Sequence, residues 1–398
     1  MKIRDKILAI FFFGINALGL PAPLLYSNFI SLFYTKNLLK KKYFLATIIY
    51  VFGLLMYFAI HHNLGIEINS YLTSFAVYLL VFINVMMAHN YLKYLGDKVY
   101  LLFQFAAKLN FFLFIIALFC LVVDIPNSFW RYYSYSEDGG SGIPRLQSFF
   151  YEPSYLALLF TPVLLYFFLN VLFNKANKKN TTYFVLSLIP VLATWSFGVI
   201  AAVIIAVAIV VCYYSVIYYR INKYILGLLI LAPFGLLLLF LFNTEISVRI
   251  VNIFSGDDGS AKGRITDSFF IANHLINEKS AIFGIGLGQI KVFGEEYIQN
   301  YYGYQKWYRV SIPNAFAETL AIFGYLGAAI RLFLQLFLFY FRKCYKNIFS
   351  ITLFTFIFIY QFTGSFITST TEYVIWLLAL MNIFPKFNIF YLYEKDYK

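Results

Sequence analysis

The stretch VYLLFQFAAKLNFFLFIIALFCLVVD, residues 99 to 124, decides the fold class. Only Lys108 and the terminal Asp124 carry charge in it, and it exceeds the roughly 20 residues that a helix needs to cross a hydrocarbon core of about 30 Å. Barrel strands would alternate apolar and polar side chains instead of running continuously apolar. Working outward, further apolar runs lie at 7 to 20, 22 to 35, 43 to 61, 70 to 88, 149 to 173, 182 to 195, 197 to 219, 224 to 242, 313 to 341, 348 to 366 and 371 to 390. The expectation is an all-α integral membrane protein of about 12 transmembrane helices. It divides into a membrane bundle of about nine helices over 1–242, a large external loop over 243–312 and about three further helices over 313–398.

Composition agrees with that reading. The 398 residues are 62% apolar, 22% aromatic and 12% charged, which leaves too few polar side chains to cover a water-facing surface. The net charge of +13 does not mark a nucleic-acid binder, because Lys and Arg fall in short clusters between apolar runs and not along one amphipathic face. Cys120, Cys212 and Cys344 lie in or beside apolar runs without pairing or metal-ligand spacing, so they read as packing residues. Met1 opens a basic segment, Lys2, Arg4 and Lys6, with no small-residue cleavage site after the first apolar run, which reads as an uncleaved first helix.

Charge also sets the topology. Splitting the first apolar stretch at Pro21 and Pro23 returns Lys36, Lys40, Lys41 and Lys42 to the cytoplasmic side. Lys93 and Lys98, then Lys175, Lys178 and Lys179, then Arg220 and Lys223, then Arg342, Lys343 and Lys346 fall on that side too, with both termini cytoplasmic. The segment 182 to 219 is too long for one span and short for two, so it reads as a tilted pair, a kinked pair or a re-entrant element. Two long connectors, about 125 to 148 and about 243 to 312, share the outer side. Helical patterning at 262 to 280 and the turn GIGLG at 284 to 288 predict that the larger one forms a small helical cap.

Four segments at the outer boundary carry candidate chemistry. In RLQSFFYEPSYLA, 145 to 157, Arg145 precedes a helix that Glu152 enters beside Pro153; the carboxylate there serves as a base, or simply pairs with Arg145 at the membrane edge. In GSAKGRITDSFF, 259 to 270, Lys262 and Arg264 stand among glycines whose backbone N–H groups can approach an anion, and the planar fork of Arg suits phosphate; an ordinary basic turn is the plain alternative. SAIFGIGLGQI, 280 to 290, lacks the Lys-Ser/Thr of a nucleotide loop and reads as a tight packing turn. In PNAFAETLAIFGYLG, 313 to 327, Asn314 caps a membrane helix and Glu318 is a second candidate base or an ion-pair partner for the loop arginine. His61, His62, His89 and His274 do not cluster, so no metal is assigned. Lys108 and Arg331 fall within spans, where they serve function or cover helix ends.

In this order the motifs resemble the O-antigen polymerase and O-antigen ligase superfamily of bacterial membrane glycosyltransferases. The resemblance rests on Arg145 with Glu152-Pro153-Ser154, on Ser196 and Gly198, on Gly263-Arg264, on Phe283 to Gly288, and on Asn314, Phe316, Gly324 and Gly327. It covers about 140 to 330 by motif and the whole chain by topology. Two departures stand out: Pro313 occupies the position where the ligase branch has a His, and Phe197 the one where an Arg follows the Ser.

The resemblance implies a GT-C-like enzyme of the bacterial cytoplasmic (inner) membrane. Its substrate would be an undecaprenyl-pyrophosphate-linked oligosaccharide within membrane lipid, its partners a chain-length regulator and a flippase, with no nucleic acid and no cofactor. Under that reading Arg264, helped by Arg145 and Lys262, binds the pyrophosphate, Glu152 deprotonates the acceptor hydroxyl with Glu318 in reserve, and Asn314 and Ser196 are weaker substrate contacts. The reaction is an inverting, metal-independent polymerisation. A ligase acting on lipid A-core and a lipid-linked oligosaccharide flippase are the alternatives.

Overall fold

The computed structural model describes residues 41–125, 129–133, 143–173, 177–218, 244–303 and 310–389. The expected spans at 7 to 20, 22 to 35 and 224 to 242 lie outside them. The described chain is predominantly helical: α1 (Lys41–Asn63), α2 (Ile68–Leu95), α3 (Val99–Val122), α4 (Pro153–Phe173), α5 (Lys178–Ala193), α6 (Phe197–Tyr218), α7 (Thr244–Ser255), α8 (Ser268–Lys279), α9 (Gly294–Tyr302), α10 (Ala315–Phe341), α11 (Ile348–Tyr360) and α12 (Thr370–Leu380). Among the described residues, five helical stretches are long and apolar enough to cross a membrane: Tyr43–Asn63, Ile68–Val122, Pro153–Phe173, Phe197–Tyr214 and Ala315–Phe341. The second is two helices of 28 and 24 residues that meet at Gly96.

The structure departs from an all-helical expectation in the connector after α3. There β1 (Trp130–Tyr133) and β2 (Ile143–Leu146) form an antiparallel ribbon that sets Arg131 opposite Arg145. The run 348 to 366 does not continue as one helix either. α11 stops at Tyr360 after 13 residues and α12 has 11, about 20 and 17 Å at 1.5 Å per residue, short of a 30 Å core. Between them, residues 361–369 run as irregular backbone. Such backbone is tolerated at depth only where protein satisfies its polar groups, and here Asn314 donates to the carbonyl of Phe362 and Glu318 accepts from the amide of Ile367. The expected pair at 182 to 219 is two separate helices, broken at Thr194 to Ser196, where Trp195 adopts φ 46°. α5 packs on α3 and α4, and α6 on α11.

α4 is apolar on every side and buried on nearly every side, which makes it the axis of the larger core, with α3, α5, α6, α11 and α12 around it. A second core joins α1, α2 and α10 to the loop: Leu54 and Tyr71 pack with Ile271, Leu275 and Ile276 of α8, Ile285, Leu287, and Ile298 of α9. The long connector is therefore built into the helix bundle. Large apolar side chains on α1 and α10, among them Phe52, Ile49, Phe333 and Phe341, face outward, as lipid contact requires.

Connectors assigned to one side meet at one end of the bundle. Lys279 Nζ donates to the carbonyls of Leu64 (3.1 Å) and Gly65 (2.8 Å), the Gln289 side chain bonds the Glu67 backbone in both directions, and Arg145 Nε donates to the Thr194 carbonyl. Those assigned to the other side meet likewise. Lys386 bonds Tyr166 and Asn170, Asn347 bonds the Phe384 carbonyl, and Arg342 bonds that of Leu380.

Candidate functional site

Glu152 ends the approach to α4, and Pro153 starts the helix because its fixed φ fits the first helical turn and its missing N–H costs nothing there. The Glu152 carbonyl accepts the first helix amides, Tyr155 and Leu156. Its carboxylate sits at the positive end of the helix dipole and accepts a hydrogen bond from Ser154 Oγ at 3.1 Å. The Glu-Pro-Ser sequence is thus a local device for holding a carboxylate at a helix start.

Arg264 reaches the same place from the loop. Asp258 caps a single helical turn, Gly259–Lys262, by accepting from the Ala261 amide, and a π-helical turn, Gly263–Asp267, leads into α8. Gly263 does not offer an open amide to an anion: its N–H is spent on the carbonyls of Gly259 and Ala261, because the segment winds as helix. What the segment presents is the Arg264 guanidinium, 4.0 Å from a Glu152 carboxylate oxygen, with both side chains 30% exposed.

Asn314 ties these parts together. It is fully buried; its Oδ1 caps α10 by accepting from the Ala317 amide, and its Nδ2 donates to the carbonyls of Arg264 (2.7 Å) and Phe362 (2.6 Å). One side chain thereby fixes the loop, the start of α10 and the segment 361–369. A cavity of about 140 Å³ opens between them, lined by Glu152, Ser154, Tyr155, Arg264, Tyr360 and Ser369, together with Ser311, Pro313, Leu158, Ser365 and Phe366. It combines one cation, one carboxylate and several hydroxyls, which is the chemistry to hold an oxyanion beside a proton acceptor.

The other expected site residues stand elsewhere. Arg145 is buried against the Thr194 carbonyl and Ser196 is buried just beyond, its amide bonded to Thr194 Oγ1; neither lines the cavity. Lys262 is exposed at the end of its turn. Glu318 lies behind the cavity wall, with Oε2 accepting from the Ile367 amide at 2.8 Å, so its contact with the site runs through the segment that carries Ser365 and Ser369. His61 is buried, its Nε2 donating to the Phe283 carbonyl, and among the described residues no three His, Cys, Asp or Glu side chains group as a metal site.

Ser365, Ser369, Tyr155 and Tyr360 escape sequence reading, since hydroxyls in aromatic membrane segments are common. Ser369-Thr370-Thr371-Glu372 does match a helix-start pattern. The partner of Arg331, a residue singled out within its span, escaped as well. Arg331 binds Glu372 and donates to Gln361 (2.9 Å) and Thr319 (2.8 Å), while Gln361 and Gln335 bond each other in both directions. The signal for it was an ionisable residue inside each of two spans. No family model matches the chain, and no curated protein matches it in sequence.

Proposed function

We propose that the chain is a polysaccharide polymerase of the bacterial cytoplasmic membrane, with about 12 spans, which transfers a growing glycan from undecaprenyl pyrophosphate to a lipid-linked repeat unit at the outer face. The observation that carries this reading is the meeting of Arg264 and Glu152 in one cavity at the end of the bundle where the loop docks. A lipid diphosphate is its own leaving group, so the protein must supply positive charge for it and a base for the attacking hydroxyl. As the hydroxyl oxygen bonds to the anomeric carbon, the bond from that carbon to the diphosphate oxygen breaks and its electron pair leaves with the diphosphate. Arg264 meets that charge, the proton passes to Glu152, and the anomeric centre inverts. Glu152 serves as the base because it lines the cavity; Glu318 braces the wall through Ile367.

The test is chain length in a strain deleted for the gene and complemented with inserted variants. Arg264→Ala is expected to lower transfer by about 10²–10³-fold and Glu152→Gln by about 10²–10⁴-fold, leaving single repeat units on the surface lipid. Glu318→Gln should retain more activity than Glu152→Gln. Full-length polymer from a correctly inserted Arg264→Ala protein would remove the assignment.

A further inference from the structure

The cavity has a second polar wall that the pairing of Arg264 with Glu152 does not use. Ser369 immediately precedes α12, in the position where a serine normally caps the helix by accepting from an amide one turn on. Ser369 makes no such bond. The residue is 1% exposed and lines the cavity, and its buried hydroxyl has no hydrogen-bond partner. Ser365 also lines the cavity with an unpartnered buried hydroxyl, and it stands at φ 64°, a backbone conformation that a serine adopts only when its surroundings hold it there. Glu372, three residues after Ser369, completes a capping-box pattern in sequence, yet its carboxylate turns to Arg331. Buried polar groups are nearly always satisfied, so two idle hydroxyls on one wall mark the place of a missing partner.

We propose that Ser365, Ser369 and the start of α12 form a cradle for a phosphate oxyanion in the cavity that Arg264 also lines. The assignment rests on the polymerase reading for the source of that oxyanion, the diphosphate of the lipid-linked substrate. The first turn of α12 carries the positive end of its dipole, with the Glu372 amide taken by the Ser369 carbonyl, and two hydroxyls donate in addition. Arg264, held only at 4.0 Å from Glu152, keeps donors for the same anion. The cradle then holds the leaving group together with the arginine.

The experiment uses the purified full-length protein in detergent, with inorganic diphosphate as probe and thermal protection as the measure of affinity. Ser369→Ala should weaken diphosphate binding about 10- to 100-fold, the loss of one hydrogen bond to a charged group, and Ser369→Thr should restore most of it. Ser369→Asp is the informative variant: aspartate caps a helix well, so the protein stays folded, but its charge repels the anion and protection should vanish. Wild-type affinity in Ser369→Asp, or no protection of the wild-type protein, would overturn the cradle. Tighter binding of undecaprenyl diphosphate in nanodiscs, with the same dependence on Ser369, supports the lipid source; equal affinity for inorganic phosphate overturns that source. A Ser369-dependent cradle in a protein without polymerase activity would sink the polymerase reading alone. Loss of polymer in Arg264→Ala, with diphosphate still bound by Ser369→Asp, would sink the cradle alone.

Discussion

At Gly284 and Gly324 the absence of a side chain lets two backbones touch. Gly284 has φ 78°, and a Cβ there would stand 2.5 Å from the Ile322 carbonyl; Gly324 has φ 67°, and its Cβ would stand 2.3 Å from that of Ile282. The contact carries four backbone hydrogen bonds, from Ile285 to Ala321, Gly286 to Ile322, Tyr325 to Ala281 and Leu326 to Ile282. The Gly-rich turn that sequence reading takes for loop packing is thus the seam between the loop and a broken α10. Gly284→Ala is expected to cost roughly 1–3 kcal/mol from the backbone conformation alone, with the clash added, read as a lower unfolding temperature. Gly263→Ala should be nearly silent in the same assay, since Gly263 is helical and a Cβ there meets nothing closer than 3.5 Å.

Between elements, a buried group joins α10, the segment 361–369 and α12. Arg331 is 13% exposed in its side chain and Glu372 is fully buried, so neither charge has water to fall back on. Removing one partner strands the other, a loss of about 3–5 kcal/mol, whereas replacing both by apolar groups of similar size is close to neutral. Arg331→Met alone should therefore destabilise strongly, and Arg331→Met with Glu372→Leu should recover much of the loss in thermal unfolding. If the double variant is as unstable as the single one, Arg331 acts mainly through Gln361 and Thr319. Because Gln361 opens the irregular segment that carries Ser365 and Ser369, a weakened pair should also loosen the cavity wall.

For the whole molecule, connectors among the described residues bond at two ends of the bundle, which predicts which of them share a side. In a background with Cys120 and Cys212 replaced by serine, Asn63→Cys and Glu278→Cys should label together with a membrane-impermeant maleimide applied outside intact cells. Lys98→Cys and Lys178→Cys should label only once the membrane is opened. Cys344 should stay silent, because it is buried and burial pushes its thiol up to about 11. Labelling of Asn63→Cys and Glu278→Cys from opposite sides would contradict the bonds from Lys279 to Leu64 and Gly65.

By itself the sequence determined the membrane helices near 43–61, 70–88, 99–124 and 149–173, because continuous apolar runs are a local property that lipid alone dictates. It also determined the device at Glu152, since capping is written in adjacent residues. It overextended the helix after Ile348, because apolar composition does not reveal where tertiary partners such as Asn314 and Glu318 satisfy an irregular backbone. Only the tertiary structure decided which charges meet. Arg145 lies near Glu152 in sequence but turns to the Thr194 carbonyl, whereas Arg264 arrives from a distant loop to face Glu152. Proximity in the chain does not fix an ion pair. The backbone seam at Gly284 and Gly324 and the Asn314 clamp do, by carrying one segment across the bundle to the other.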